Sequence, residues 1–371
     1  MNKNIVLMTW KGQGNFGTCL QSYALYQVLK SMGNRVRFLP YVPERYTVTT
    51  FFKWFFYTLG VTRLREIISY KGMSLQEKKR VRFQKRIFND TYVYTKWQEK
   101  HLVSNTDCFI TGSDQIWNTY HNYSSFFFLP FAGNCKRVAY ASSIGTNSIN
   151  EECKEEVRRL LLDFNHIGVR EQEAVNVLSE LTGRNDIIQV LDPTFLLNPT
   201  EWKNVSETAE YEQELPEEYI FCYFIGNNSW YKENLADVQK GTGIKNILFI
   251  PAAENPNFVC ENAVVYKNAS PVEFVDLLQK AKLVCTDSFH ATALSINHSV
   301  PFVEFLRFRD YDQKSQNSRI YDVLTHYGLN NRIYQKHSSI WKEPIDYRPV
   351  QEILSCDRKQ SMDYLVNAIE N

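Results

Sequence analysis

The chain has 371 residues, 42 lysines and arginines against 41 aspartates and glutamates, 44% hydrophobic residues and 14% aromatics. At roughly 100–200 residues per domain it accommodates two domains, each with its own core, and the aromatic content argues against disorder. A formal net charge of +1 argues against a protein whose main partner is nucleic acid, which demands a large cationic excess.

The first element, Ile5 to Trp10, reads as a buried strand. A Gly-rich loop follows, then an amphipathic helix from about Thr18 to Met32 stopped by Gly33-Asn34, and a strand over 36–39. Strands at 107–111, 137–142, 166–169 and 187–191 alternate with helical patterns at 151–164 and 171–182. A second series begins near Tyr219. It has strands at 219–225, 246–250, 263–266, 282–286 and 301–305, with helices at 230–240, 271–281, from 289 and at 318–327. Alternation of this kind predicts an α/β fold of two Rossmann-like domains, with parallel sheets facing a cleft. The boundary falls at 197/198: an N-terminal domain over 1–197 and a C-terminal domain over 198–371, with 198–218 as linker. A final helix, 349–369, could pack on either domain.

The longest apolar runs fall short of the roughly 18 residues a membrane span needs. Met1-Asn2-Lys3-Asn4 leads into a core-like strand rather than a signal peptide, so the chain is expected to be soluble or peripheral, and cytoplasmic. Its eight cysteines are scattered without a C-x-x-C pair, as expected of reduced, mostly buried thiols with neither a disulfide frame nor a metal site. One segment breaks the charge balance. Residues 45–86 carry a net +9, leaving −8 for the remainder, and Phe51 to Tyr57 places aromatics beside cations. Such a composition suits either an element lying in an anionic lipid interface or a core with a solvated basic face.

Three strand-to-helix turns carry residues with chemistry to offer. Gly12-Gln13-Gly14-Asn15-Phe16-Gly17 matches G-x-G-x-x-G, but the second strand ends in Phe38-Leu39-Pro40-Tyr41 without the acid a ribose needs. What survives is a loop that lets a ligand approach a helix start, or a plain tight turn. Thr111 to Asn118 offers Asp114, Gln115 and Asn118 to sugar hydroxyls and the indole of Trp117 to a sugar face, or else a helix cap. Asp287-Ser288-Phe289-His290-Ala291 sets a histidine at a helix start. There the helix dipole would lower its pKa and a partner such as Asp287 would raise it; either way it could serve as general acid or base. Arg170 and Arg319 could cradle a small dianion or form ordinary salt bridges.

Taken together, Gly14 to Gly17 with Leu20-Gln21-Ser22-Tyr23-Ala24-Leu25, Gly112 to Asn118, Val169-Arg170-Glu171, Leu191-Asp192-Pro193-Thr194 and Asp287 to Ala291 resemble the bacterial polysaccharide pyruvyl transferase family. The resemblance implies a fold like that of the GT-B glycosyltransferases. It implies phosphoenolpyruvate as donor and co-substrate with no cofactor, and a galactose-like hexose in a lipid-linked glycan or its precursor as acceptor. The product would be a cyclic pyruvate ketal. It maps the catalytic histidine onto His290 and a catalytic, donor-binding arginine onto Arg170. Ser288 stands where relatives often carry an arginine, and Arg319 is expected to supply that charge beside Ser288, Phe289 and His290. Asn15, Phe16, Gly17, Gln21, Asp114, Gln115, Trp117 and Asn118 are expected on the acceptor side. A lipid-linked acceptor would give the segment 45–86 a purpose at the inner face of the cell membrane. Competing readings are a nucleotide-sugar glycosyltransferase of the same architecture and a catalytically silent glycan-binding relative, with an NAD-linked oxidoreductase more distant.

Overall fold

The computed structural model describes residues 2–10, 12, 14–39, 70–87, 99–121, 123–253, 260, 262–309 and 316–371. The chain divides into two compact units. The first comprises Met1–Lys11, Ser22–Asp192 and Met362–Asn371; the second comprises Gly12–Gln21 and Pro193–Ser361. The opening loop, which carries Asn15, Phe16, Gly17 and Gln21, thus groups with the second unit, and the last ten residues group with the first.

In chain order the elements up to Asp192 are β1 (Asn4–Met8), α1 (Phe16–Ser31), β2 (Arg35–Phe38), α2 (Leu75–Ile87), α3 (Glu99–Ser104) and β3 (Cys108–Thr111). They continue with β4 (Lys136–Ser142), α4 (Lys154–Leu162), β5 (His166–Val169), α5 (Gln172–Thr182) and β6 (Ile188–Gln189). The six strands pair in parallel in the order β2-β1-β3-β4-β5-β6. The inner strands β1, β3 and β4 are buried along almost their whole length, as strands covered on both faces must be. The edge strand β6 is two residues long, which limits its capacity to recruit a foreign strand.

From Pro193 the elements are α6 (Pro193–Leu196), α7 (Pro199–Ser206), β7 (Ile220–Tyr223), α8 (Trp230–Thr242), β8 (Ile247–Phe249) and β9 (Ala263–Val265). Then come α9 (Pro271–Gln279), β10 (Leu283–Thr286), α10 (Phe289–Asn297), β11 (Phe302–Glu304), α11 (Ser318–His326) and α12 (Tyr347–Glu370). Five parallel strands run β11-β10-β7-β8-β9. Register places Tyr223, Thr286 and Glu304 side by side at the C-terminal ends of β7, β10 and β11. The predicted α/β class with two parallel, Rossmann-like sheets is therefore observed.

The expected linker 198–218 is corrected. Asn198 and Glu201 form a reciprocal capping box at the start of α7, with Pro199 in the first turn. Trp202 is fully buried and donates to the Thr194 carbonyl at 3.0 Å. The acidic stretch beyond is tied to the second unit, with Tyr211 donating to Asp276 at 2.5 Å and Tyr266 donating to Glu212 at 2.9 Å. None of the eight cysteines is in a disulfide, and five of them are buried. Among the described residues no helix is long and apolar enough to cross a membrane. Of the basic segment 45–86, residues 45–69, with the aromatic run Phe51–Tyr57, lie outside the described residues. In the described part, Lys79 is buried on α2 rather than presented on a solvated face.

Candidate functional site

In parallel α/β sheets, ligands meet the loops that follow the C-terminal strand ends. In the first unit those loops hold Ser113, Asp114 and Arg170. Gly112, with φ +119°, brings its backbone so close to β4 that a Cβ there would stand 2.0 Å from the Tyr140 carbonyl oxygen. Only glycine fits. Asp114 follows at φ +74°, its carboxylate accepting from the Gln115 backbone at 2.9 Å.

Arg170, immediately beyond β5, is buried. Its Nε donates to Glu171 at 2.9 Å and its Nη1 to Asp192 at 3.1 Å; Asp192 also accepts from the Ser113 hydroxyl at 3.2 Å. Burial alone would push the guanidinium pKa down. The carboxylates of Glu171, Asp192 and Asp114 outweigh that and raise it. Arg170 therefore faces protein carboxylates and ties three strand-end loops together.

The same loop corrects the expected sugar platform. Trp117 is 1% exposed, its indole stacked on Phe128 at 5.0 Å and 6° and met edge-on by Phe164 at 5.5 Å. It is a core residue with no face left for a ligand. Asn118 is also buried, and its Oδ1 accepts from the backbone of Tyr120 and His121 at 3.0 Å. Gln115 remains half-buried, with its Oε1 accepting from Asn118 at 3.0 Å.

In the second unit His290 occupies the first turn of α10, two residues after the N-cap Ser288. Gly17, in the first turn of α1, packs directly on its imidazole: a Cβ at Gly17 would stand 2.2 Å from Nδ1 and 2.5 Å from Cγ of His290. The third glycine of the opening motif therefore serves close approach to a histidine. Asn15 caps α1, its Oδ1 accepting from the Thr18 backbone at 3.1 Å. Phe16 and Gln21, expected beside the acceptor, are corrected to interior positions: Phe16 stacks on Phe274 at 4.8 Å, and Gln21, fully buried, donates to the Thr18 carbonyl at 3.0 Å.

Asp287 is committed elsewhere than to His290. Its carboxylate accepts from the backbones of Ile225 (2.6 Å) and Gly226 (2.7 Å), from the Tyr231 hydroxyl (2.8 Å) and from Arg307 Nε (3.2 Å). Arg319, in the first turn of α11, is buried, donates to Gln316 and sets its guanidinium 5.9 Å from the Phe289 ring centroid. That places it beside the residue preceding His290. Ser288 is almost fully buried at its cap position.

Sequence reasoning missed Arg307, which binds Asp287, and Glu304, which accepts from the Thr292 hydroxyl of α10 at 2.5 Å. Burial pushes the Glu304 carboxyl up to about 8, against the opposing effects of that hydrogen bond and of Arg307 and Arg319. The available signal for both residues was position, at and just beyond the C-terminal end of β11. Among the described residues no group of three or more His, Cys, Asp and Glu is arranged to hold a metal ion.

The chain is similar to the UDP-GlcNAc 2-epimerase of Neisseria meningitidis solved with UDP-GlcNAc, at 11% identity over 99% of this chain and 100% of that one, with a TM-score of 0.50. MurG of Acinetobacter baumannii gives 10% identity over 99% of each chain and a TM-score of 0.46. At these identities the likeness to the epimerase is one of fold. No curated protein matches the chain. The sequence model that does match is that of polysaccharide pyruvyl transferase, over residues 15–307. Since that span runs from the loop bearing Gly17 through both parallel sheets to Arg307, the chain belongs to the polysaccharide pyruvyl transferase family and is a transferase of GT-B-like architecture.

Proposed function

We propose that the protein transfers pyruvate from phosphoenolpyruvate to two hydroxyls of a galactose-like hexose, in a lipid-linked glycan or its precursor, forming a cyclic ketal and releasing phosphate. The observation that carries this reading is His290, held in the first turn of α10 at a strand-end edge where Arg307 and Arg319 also stand. Ketal formation from an enol phosphate needs an acid that reaches carbon and cations that hold the anion.

In this reading His290 gives a proton to the methylene carbon. Positive charge develops at the adjacent carbon, a sugar hydroxyl adds there, phosphate leaves, and the second hydroxyl closes the ring. Of the two hydroxyl protons, one replaces the proton spent on the methyl group and the other leaves with phosphate. Arg319 stabilises the charge of donor and leaving group through preorganised electrostatics, a contribution often worth a few kcal/mol per contact. Asp114 and Gln115 belong to the acceptor side. Arg170 is a donor ligand by family resemblance. Phosphoenolpyruvate enters as co-substrate, and no cofactor is assigned. The enzyme is placed on the cytoplasmic side, reaching its acceptor at the membrane surface through the basic segment 45–86.

The test is phosphate release from phosphoenolpyruvate in the presence of acceptor glycan. His290→Ala should abolish turnover while retaining the wild-type circular dichroism and melting behaviour. Near wild-type turnover would remove His290 from the chemistry. Protection of the wild type from thermal unfolding by a nucleoside diphosphate, and none by phosphoenolpyruvate, would replace the reading with a nucleotide-sugar glycosyltransferase.

A further inference from the structure

We infer that Arg307 is an anion-binding residue, held out by Asp287 at the ends of three adjacent strands so that its remaining guanidinium nitrogen receives a phosphate dianion. Asp287 follows β10, Ile225 and Gly226 follow β7, and Arg307 follows β11, so all three loops emerge at the ligand edge of one sheet. Arg307 spends Nε on the Asp287 carboxylate at 3.2 Å and Nη2 on the Asp287 carbonyl at 2.9 Å. Among the described residues Nη1 has no hydrogen-bond partner.

This is not the geometry of an arginine recruited merely to neutralise an acid. The Asp287 carboxylate already accepts from two backbone N–H groups and the Tyr231 hydroxyl, and Arg307 gives it one nitrogen rather than a two-pronged grip. The backbone on either side is pinned as well. Asn228 Nδ2 donates to the Arg307 carbonyl at 2.8 Å, and Asn317 Nδ2 donates to the Phe308 carbonyl at 2.7 Å. The aliphatic stem lies on Gly226, where a Cβ would come within 2.9 Å of Arg307 Cγ. Side chain and main chain are thus both fixed before any ligand arrives, which removes ordering cost from the binding step.

The local charge also favours an anion. Glu304, the acid next along the chain toward the strand, is kept neutral near pH 7 by its burial, so it does not compete for the guanidinium. Arg307 and Arg319 both lie near enough to Glu304 to oppose the rise of its pKa, so two cations stand beside this acid. A phosphate, with three acceptor oxygens, fits a fixed guanidinium nitrogen better than a lone hydroxyl does. With serine at position 288, Arg307 stands close to that cap, since its Nη2 donates to the carbonyl of the preceding residue, Asp287. In identifying the phosphate as that of the donor, the inference rests on the pyruvyl-transfer reading.

The experiment is calorimetric titration of the full chain with inorganic phosphate and with phosphoenolpyruvate, using wild type, Arg307→Gln and Arg307→Lys. Both ligands should bind the glutamine variant at least tenfold more weakly, and the lysine variant should fall between. Unchanged phosphate affinity in a folded Arg307→Gln overturns the inference, whatever becomes of the donor assignment. Arginine-dependent phosphate binding with phosphoenolpyruvate no tighter than phosphate sustains the inference and overturns the donor reading. If the glutamine variant fails to fold, phenylglyoxal labelling of wild-type Arg307, read by mass spectrometry, decides: phosphate should slow it severalfold, and an unaltered rate counts against the site.

Discussion

Glu304 shows how a single buried carboxyl leaves a signature in bulk behaviour. Its folded-state pKa of about 8 lies above the ordinary value of 4.5, so the folded protein holds a proton that the unfolded chain has released. The sign follows: between those two values stability falls as pH rises, and it levels off above the upper one. Glu304→Gln keeps an acceptor for Thr292 and removes the titration. The melting temperature of the variant relative to wild type should therefore climb by several degrees between pH 5 and pH 8. A difference that stays constant across that window would show that the carboxyl does not titrate there. Arg170 illustrates the opposite arrangement, a buried cation matched by two acids. Its truncation would strand Glu171 and Asp192, so lost activity in an Arg170→Ala variant needs a parallel melting curve before it is read as lost donor contact.

At the scale of elements, α7 depends on its first turn. Asn198→Ala removes the side-chain acceptor for the Glu201 N–H, 3.0 Å away, and leaves only the other half of the capping box, the bond from the backbone N–H of residue 198 to the Glu201 carboxylate, so it should cost about 1 kcal/mol. Urea unfolding followed by circular dichroism would measure it, and an unchanged midpoint would deny the cap its role. The case also marks how far the sequence can be read. The alternation of strands and helices was legible because apolar periodicity is local: β5 was expected over 166–169 and is observed as His166–Val169. The helix inside the supposed linker was legible too, through Asn198-Pro199 and Glu201. The orientation of the 112–118 loop was not legible. A run of polar residues looks like a surface, yet the backbone at Gly112 and Asp114 turns Trp117 inward, and only the packing of Phe128 and Phe164 reveals it. His290 could be singled out from its place at a strand end. Its contact with Gly17 could not, because nothing local links the two loops.

For the whole molecule, near-neutral net charge conceals a polarised distribution, +9 in residues 45–86 against −8 elsewhere. If this segment brings the enzyme to an anionic surface, at about 1 kcal/mol per basic residue near the surface, co-sedimentation with phosphatidylserine vesicles should be strong at low salt and fade as salt rises. Absence of binding at low salt would refute that placement. The division of the chain has a further consequence for anyone who would dissect it. Neither unit is a continuous stretch, because Gly12–Gln21 belongs with the residues after Asp192. A fragment beginning at Pro193 would leave the aromatic faces of Phe274 and Tyr223 without Phe16, and the ring of His290 without its glycine. The histidine's setting is completed by the opening loop of the chain, so an insertion, tag or deletion there amounts to a lesion at position 290.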